Sequence, residues 1–164
     1  MKSLEQHLSE YFAYHMDARN RATHMVGIPL TTFAIFLFLG FFRFSGAPDH
    51  VSLATVFFAA CMVHYYRLDK VIAGLVLLMF APILYFSEQV AILPFKEGIS
   101  WFVGSFVVGL GIQLWGHKLE GRKPAFVDNL SQIFNAPLLM AVELLNILGL
   151  RDDLSNLKAG NNAK

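Results

Sequence analysis

Four long stretches of this chain contain no lysine, arginine, aspartate or glutamate, and they restrict the fold more than any other feature. Each has about 16–18 residues, close to the roughly 17–25 that a helix needs to cross a bilayer. Charged residues make up only 15% of the chain and hydrophobic residues 55%, whereas soluble proteins have about 25% and 45–50%. The sequence therefore predicts an all-α polytopic membrane protein with about four transmembrane helices, at Met25–Phe42, Val51–Tyr66, Val71–Phe86 and Ile99–Trp115.

Amphipathic segments are predicted on both sides of these stretches. Residues 3–18 have apolar side chains at helical spacing, and Ser3 with Gln6 has the pattern of a capping box. Asn20 is a residue type that caps helices, so we expect it to begin the first membrane helix. The segment Ala125–Leu150 is predicted to be amphipathic, in two pieces hinged at Pro137.

The remaining stretches are predicted to connect or to terminate the domain. Residues 88–98, from Glu88 to Gly98 and with Pro94 between them, have the composition of a loop or a re-entrant piece. Residues 151–164 form a polar tail, so we expect one helical membrane domain over residues 1–150.

Basic residues predict the orientation in the membrane. On a four-span model, eleven lysines and arginines lie on the side of both termini, and only Arg43 and Lys96 lie on the other side. This asymmetry predicts that both termini are cytoplasmic. The short loops favour a bacterial inner membrane, or the endoplasmic reticulum membrane in a eukaryotic host. A formal net charge of +1 argues against a nucleic-acid partner.

Histidines far apart in the chain are predicted to reach the same, cytoplasmic level. His15 and His24 flank the start of the first span, His64 lies near the end of the second, and His117 ends the fourth. Neutral imidazoles ligate divalent transition metals well, so convergence of these residues predicts a metal site. The simpler interpretation is that histidines are comfortable at a membrane interface without a metal.

Other polar residues lie around the end of the fourth span. If that helix continues beyond the span, Gln113, His117 and Glu120 share one face, because residues three and four apart are neighbours. Asp128 and Glu143 are acidic groups in a mostly apolar stretch, either functional or bound to interfacial backbone. Arg122 and Lys123 anchor the span end, or bind lipid head groups or a substrate carboxylate. Four tyrosines are predicted to be interfacial aromatics: Tyr11, Tyr14, Tyr65 and Tyr66.

Two motifs resemble those of the DUF962 or Mpo1-like family of membrane proteins. The first has the form Y-x-x-Y-H…N-x-x-x-H…P, and the second is a block from Gly116 to Leu130 followed by Ala-Pro and a glutamate. The resemblance extends to about residue 148. The matching residues are Tyr11, Tyr14, His15, Asn20, His24 and Pro29 in the first motif, and the run GHKLEGRKPAFVDNL, Ala136, Pro137 and Glu143 in the second.

The resemblance implies an iron(II)-dependent dioxygenase that uses O₂ to shorten 2-hydroxy fatty acids by one carbon. It implies His15, His24 and His117 as the metal-binding histidines, whereas His64 is outside the pattern. We expect Glu120 to ligate the metal or to orient a histidine, with Asn20, Asp128 and Glu143 as catalytic or supporting residues. Arg122 or Lys123 is expected to bind the substrate carboxylate.

A second class of function fits the same residues. A non-enzymatic lipid or metal-ion carrier, or a scaffold, has interfacial histidines and no catalytic metal. A carrier more often has ionisable groups near the middle of the membrane and inverted repeats. The predicted spans are free of formal charge, so the sequence favours the enzyme.

Overall fold

Every named element in the described part of the chain is a helix, which confirms the predicted fold class. The structure is a computed structural model and describes residues 3–44, 51–128 and 130–150. His50, Asn129 and the tail 151–164 lie outside the described residues. The helices are α1 Leu4–Phe12, α2 Ala18–Gly40, α3 Leu53–Leu68, α4 Lys70–Ala91, α5 Phe95–Glu120, α6 Ala125–Asp128, a 3₁₀ helix Leu130–Asn135, and α7 Ala136–Ile147.

Three helices are long and apolar enough to cross a membrane: α2, α4 and α5. The second apolar stretch forms α3, which has 16 residues and is shorter than the other three. These helices are compatible with a membrane protein, while the choice of membrane and the orientation stay predictions.

Two compact units make up the chain. One contains residues 1–25 and 112–164, and the other contains residues 26–111. Both α2 and α5 contribute residues to each unit. The single domain over residues 1–150 stays a prediction.

The N-terminal helix begins as predicted but ends early. Ser3 accepts the backbone N–H of Gln6 and the Gln6 side chain accepts the N–H of Ser3, so the capping box is present. The helix ends at Phe12 rather than at residue 18. Beyond it, the carbonyl of Ala13 accepts Arg122 and the N–H of Met16 donates to Glu120. This difference leaves His15 outside regular helix.

The predicted capping role of Asn20 is wrong. Helix α2 begins at Ala18, and the carboxylate of Asp17 accepts the backbone N–H of Arg19. Asn20 instead lies inside the helix with a fully buried side chain. The reason is that Asp17 already binds an N–H of the first turn.

The loop predicted over residues 88–98 is present but shorter, at residues 92–94. Helix α4 continues to Ala91, and α5 begins at Phe95 directly after Pro94. Glu88 is therefore inside a candidate membrane helix and is buried. The helix tolerates this carboxylate because Arg43 forms an ion pair with it at 2.7 Å.

The end of α5 extends beyond the predicted span, as the helical face of Gln113, His117 and Glu120 requires. The helix ends at Glu120, and Gly121 follows with φ +72°. The N–H of Arg122 donates to the carbonyl of His117, and the N–H of Gly121 donates to that of Lys118. These are the bonds of a Schellman motif, which favours glycine at its left-handed position.

The C-terminal segment has three helical pieces rather than two. Pro137 lies in the first turn of α7 and not at a hinge, because proline fits the first turn of a helix, where N–H groups have no helical partner. Helix α7 buries Leu138 to Val142 and Leu145.

Candidate metal centre

Three histidines meet in the unit formed by residues 1–25 and 112–164. His15, His24 and His117 are 2%, 3% and 4% exposed, and their ring centroids are 4.5–4.9 Å apart. One nitrogen from each ring lies within 4.8 Å of the others. Within the described residues, this is the group of histidine, cysteine or acidic side chains with a spacing that suits a metal ion.

Backbone carbonyls select which ring nitrogens face the centre. His15 Nδ1 lies 2.9 Å from the carbonyl of Tyr11, and His24 Nδ1 lies 2.9 Å from the carbonyl of Asn20. A carbonyl only accepts hydrogen bonds, so each Nδ1 carries the proton and donates it. In the neutral rings both Nε2 atoms are then unprotonated, and they lie 3.2 Å apart. Two lone pairs at this distance repel unless a cation lies between them, which is the arrangement of a metal site.

Burial keeps His15 neutral. Loss of hydration, first, and the nearby ring of His24 together lower the pKa of His15 to about 2. A neutral imidazole is the form that ligates a metal, so no proton competes for His15 near neutral pH. The ring is also fixed in direction, because it stacks on Tyr11 with a centroid distance of 3.9 Å. Tyr11 is therefore buried against the centre, and its position at the membrane interface stays a prediction.

Asn20 and Glu120 support the third histidine and the turn beside it. The amide nitrogen of Asn20 donates to Glu120 Oε2 at 2.6 Å and lies 3.3 Å from His117 Nδ1. Glu120 Oε1 accepts the backbone N–H of Met16 at 2.8 Å. Both carboxylate oxygens thus have N–H donors, which is the arrangement of a supporting residue. The catalytic or supporting roles expected for Asn20 and Glu120 stay predictions.

Gly116 allows α5 to lie against the start of α2. A Cβ atom at this position would collide with Thr23 Oγ1 and lie 2.5 Å from Asn20 Oδ1. The absence of a side chain therefore lets Asn20 and His117 come within contact distance.

The other predicted site residues lie further out in the same unit. Asp128 forms an ion pair with Lys123 at 2.5 Å and accepts the hydroxyl of Tyr14 at 3.0 Å. Lys123, first, and Tyr14 lower the pKa of Asp128. Arg122 donates to the carbonyl of Ala13. The binding of a substrate carboxylate by Arg122 or Lys123 stays a prediction.

Two residues named from the sequence are not part of the histidine group. His64 lies on α3 with its ring 5.7 Å from that of Tyr65, which is buried. Gln113 is half-buried on α5, one turn before His117.

One charged residue at the centre was missed by the sequence analysis. Arg21 donates to the carbonyls of His15 and Met16 and forms an ion pair with Glu143. The sequence could have indicated Arg21, because it lies three residues before His24 and therefore on the same face of a helix.

Comparison with protein-family models gives one match. The model described as "2-hydroxy-palmitic acid dioxygenase Mpo1-like" matches residues 1–147. The chain belongs to the Mpo1-like family. Comparison with curated proteins and with solved structures finds no match.

The Mpo1-like match covers the whole candidate centre. All three histidines, Asn20, Glu120 and Glu143 fall inside residues 1–147. The family therefore confirms the resemblance that the two motifs indicated, and its name indicates a function related to 2-hydroxy fatty acid dioxygenases. The donor set fits that family, because three neutral imidazoles suit a borderline divalent ion and leave coordination positions open.

Proposed function

We propose that this chain is an iron(II)-dependent dioxygenase that acts on 2-hydroxy fatty acids at a membrane and shortens them by one carbon. The observation that carries the proposal is the meeting of three buried histidines, from sequence positions up to 102 residues apart, in a chain of the Mpo1-like family. The alternative, in which the histidines are only interfacial, does not require the three rings to meet or their tautomers to be fixed.

The residues of this chain have separate parts in the proposed reaction. His15, His24 and His117 would hold Fe²⁺, which when bound supplies the redox chemistry with O₂. Burial of all three rings excludes bulk water from the centre. The Asn20–Glu120 pair holds the start of α2, the end of α5 and the turn at Met16 together, so the three rings are preorganised.

The substrate would bind at the boundary between water and lipid. Its alkyl tail is apolar and suits the bilayer beside the long helices, while its carboxylate requires a cation. Lys123 is 63% exposed and its ion pair with Asp128 is at the surface. Exposed ion pairs contribute little free energy, so a substrate carboxylate can compete for Lys123 or Arg122.

Metal analysis and oxygen uptake test the proposal together. The purified full-length chain should contain iron and consume O₂ when 2-hydroxypalmitate is added. A well-folded protein with no bound iron and no uptake contradicts the enzyme and supports the carrier or scaffold. Iron without uptake for any 2-hydroxy acid contradicts the proposed reaction alone.

Substitution of each histidine tests the ligand set. His15→Ala, His24→Ala and His117→Ala should each abolish metal binding while the protein still inserts and folds, because two imidazoles hold the ion much less strongly than three. His64→Ala is the control in α3 and should retain the metal. Equal metal loss in the His64 variant would contradict this set of ligands; His50→Ala, outside the described residues, is also expected to be silent.

A further inference from the structure

His15 lies in a segment whose backbone is held by charged side chains. Residues 13–16 lie between α1 and α2. The first two form a turn, and the last two have no regular secondary structure. Arg122 donates to the carbonyl of Ala13, and Glu120 accepts the N–H of Met16. The N–H groups of Ala13, Tyr14 and His15 donate to carbonyls of α1, but the carbonyls at the end of the segment are bound by side chains, so the position of the His15 backbone relative to α2 depends on such contacts.

Arg21 makes two of these contacts with one nitrogen. Its Nη1 donates to the carbonyl of His15 at 3.0 Å and to the carbonyl of Met16 at 2.5 Å. Arg21 lies in the first turn of α2, one turn before His24. The side chain therefore ties the backbone of one histidine to the helix that carries another.

Glu143 of α7 holds Arg21 in this position. Its Oε1 lies 3.0 Å from Arg21 Nε, and the two side chains are only 14% and 20% exposed. The neighbouring pair of Arg19 and Asp17 has the same chemistry, but Arg19 is 67% exposed. A partly buried pair depends more strongly on its partner, because an unpaired charge is costly there.

We propose that Arg21, held by Glu143, is a positioning residue that orients His15 for metal binding. This inference rests on the proposed metal centre. The guanidinium acts through the backbone carbonyls of residues 15 and 16 and does not ligate the ion. Glu143 also balances the positive charge of Arg21, which would otherwise repel a bound cation.

A role of Arg21 through its position and a role through its charge predict opposite changes in metal affinity for Arg21→Met. If Arg21 acts only by its charge, Arg21→Met removes a repulsion and tightens metal binding, and Arg21→Lys changes nothing. If it acts by position, both variants weaken binding, since neither side chain reproduces the planar guanidinium that reaches two carbonyls and Glu143. The pair of variants therefore separates the two explanations.

The experiment is a titration of the purified full-length chain with Co²⁺, followed by the visible absorption of the bound ion. We expect Arg21→Lys and Arg21→Met to raise the Kd about 10–100-fold, the usual loss when a residue supporting a metal ligand is changed. Glu143→Gln should raise the Kd in the same direction, and the absorption spectrum should shift because His15 is displaced. Arg19→Lys is the matched control on the same helix and should keep the wild-type Kd and spectrum.

Each result has one interpretation. Wild-type protein that binds no Co²⁺ contradicts the proposed metal centre, not the positioning role alone. Wild-type binding with an unchanged Kd in both Arg21 variants, or tighter binding by Arg21→Met, overturns the inference. If the Arg21 variants do not fold, Glu143→Gln decides, because it replaces one oxygen with an amide group of nearly the same size. An unchanged Kd and spectrum in that variant also overturn the inference.

Discussion

Gly116 is a residue at which one added methyl group should affect the metal centre. The Cβ of Gly116→Ala would collide with Thr23 and Asn20, and the Thr23 hydroxyl is itself held by the carbonyl of Asn20. We expect the variant to lose metal affinity at least about tenfold and to have a lower melting temperature, because α2 and α5 must separate.

Gly111→Ala is the control for this prediction. A Cβ at Gly111 on the same helix meets nothing within 4 Å, so the melting temperature and metal affinity should stay the same or rise slightly. Equal effects of the two substitutions would show that glycine in α5 matters for helix flexibility and not for close approach.

The neutral His15 makes the metal-free protein sensitive to acid. Burial lowers the pKa of folded His15 to about 2 from its ordinary 6.5. Below pH 6.5 the unfolded chain therefore binds a proton that the folded chain does not. The stabilisation is fully present above the unfolded pKa and is lost as the pH falls below it, by up to about 1.4 kcal/mol per pH unit.

Melting temperatures in detergent measure this effect. The metal-free protein should melt lower at about pH 5 than at about pH 7, and His15→Gln should show a smaller difference, because the amide does not titrate. A pH dependence that is the same in wild type and variant would contradict a buried neutral His15.

Helix α4 depends on a buried polar cluster for its last turns. Glu88 accepts Arg43 Nη2 at 2.7 Å, the Thr55 hydroxyl at 3.1 Å and the hydroxyl of Ser52. Ser52 also caps α3. All of these residues belong to the unit 26–111, so the cluster joins the end of α2, the start of α3 and α4.

Glu88→Ala should destabilise the protein strongly. The substitution leaves the Arg43 charge without its carboxylate partner. Because Arg43 is 28% exposed, we expect a loss somewhat below the roughly 3–5 kcal/mol of a fully buried pair. Thermal unfolding in detergent measures the loss. Glu97→Ala, at an exposed position of α5, is the control and should change stability little.

A double variant tests whether the charge is the cause. Adding Arg43→Met to Glu88→Ala should recover part of the lost stability, since the unpaired charge is removed. Additive losses in the double variant would mean that packing, and not the ion pair, holds α4.

At the scale of the whole chain, the histidine group restricts the number of membrane crossings. His24 lies near the start of α2 and His117 near the end of α5, yet their ring centroids are 4.9 Å apart. If these helices span a membrane, the chain crosses it an even number of times from α2 to α5. The three long helices alone would give an odd number, so we predict that α3 crosses as well.

Helix α3 is short for a helix that crosses a bilayer. Its 16 residues rise about 24 Å, which is less than the roughly 30 Å of a bilayer core. Local thinning and interfacial side chains compensate for such a difference. Lys70 lies 5.6 Å from the ring of Tyr66 at the end of α3, and Arg67 is beside them. We expect these residues to be at the interface.

Topology reporters test the crossing of α3. Fusions at the two termini should report the same side of the membrane, and a reporter inserted between positions 45 and 50 should report the opposite side. Termini on opposite sides would mean that α3 does not cross. A cytoplasmic position of both termini, predicted from the basic residues, is measured in the same experiment.

The sequence alone determined the features that depend on local periodicity and residue type. Uncharged stretches predict membrane helices because burial of an unpaired charge in lipid is costly, and the capping box of Ser3 and Gln6 depends on neighbours three residues apart. The face of His117 and Glu120 followed from helical spacing in the same way. The resemblance to the Mpo1-like family added the set of three histidines, which spacing alone left open.

Which distant groups meet depends on the tertiary fold. Asn20 has the chemistry of a cap, but its amide binds Glu120 one hundred positions away. Glu88 is a charged residue, so the sequence predicted a loop there. Its ion pair with Arg43 allows it to lie inside a helix. In the sequence, Arg21 is one of thirteen basic residues with no feature that separates it from the others. The structure shows its contacts with two carbonyls and Glu143. The physical reason is that hydrogen bonds and ion pairs act at a few ångströms in space, whatever the separation along the chain.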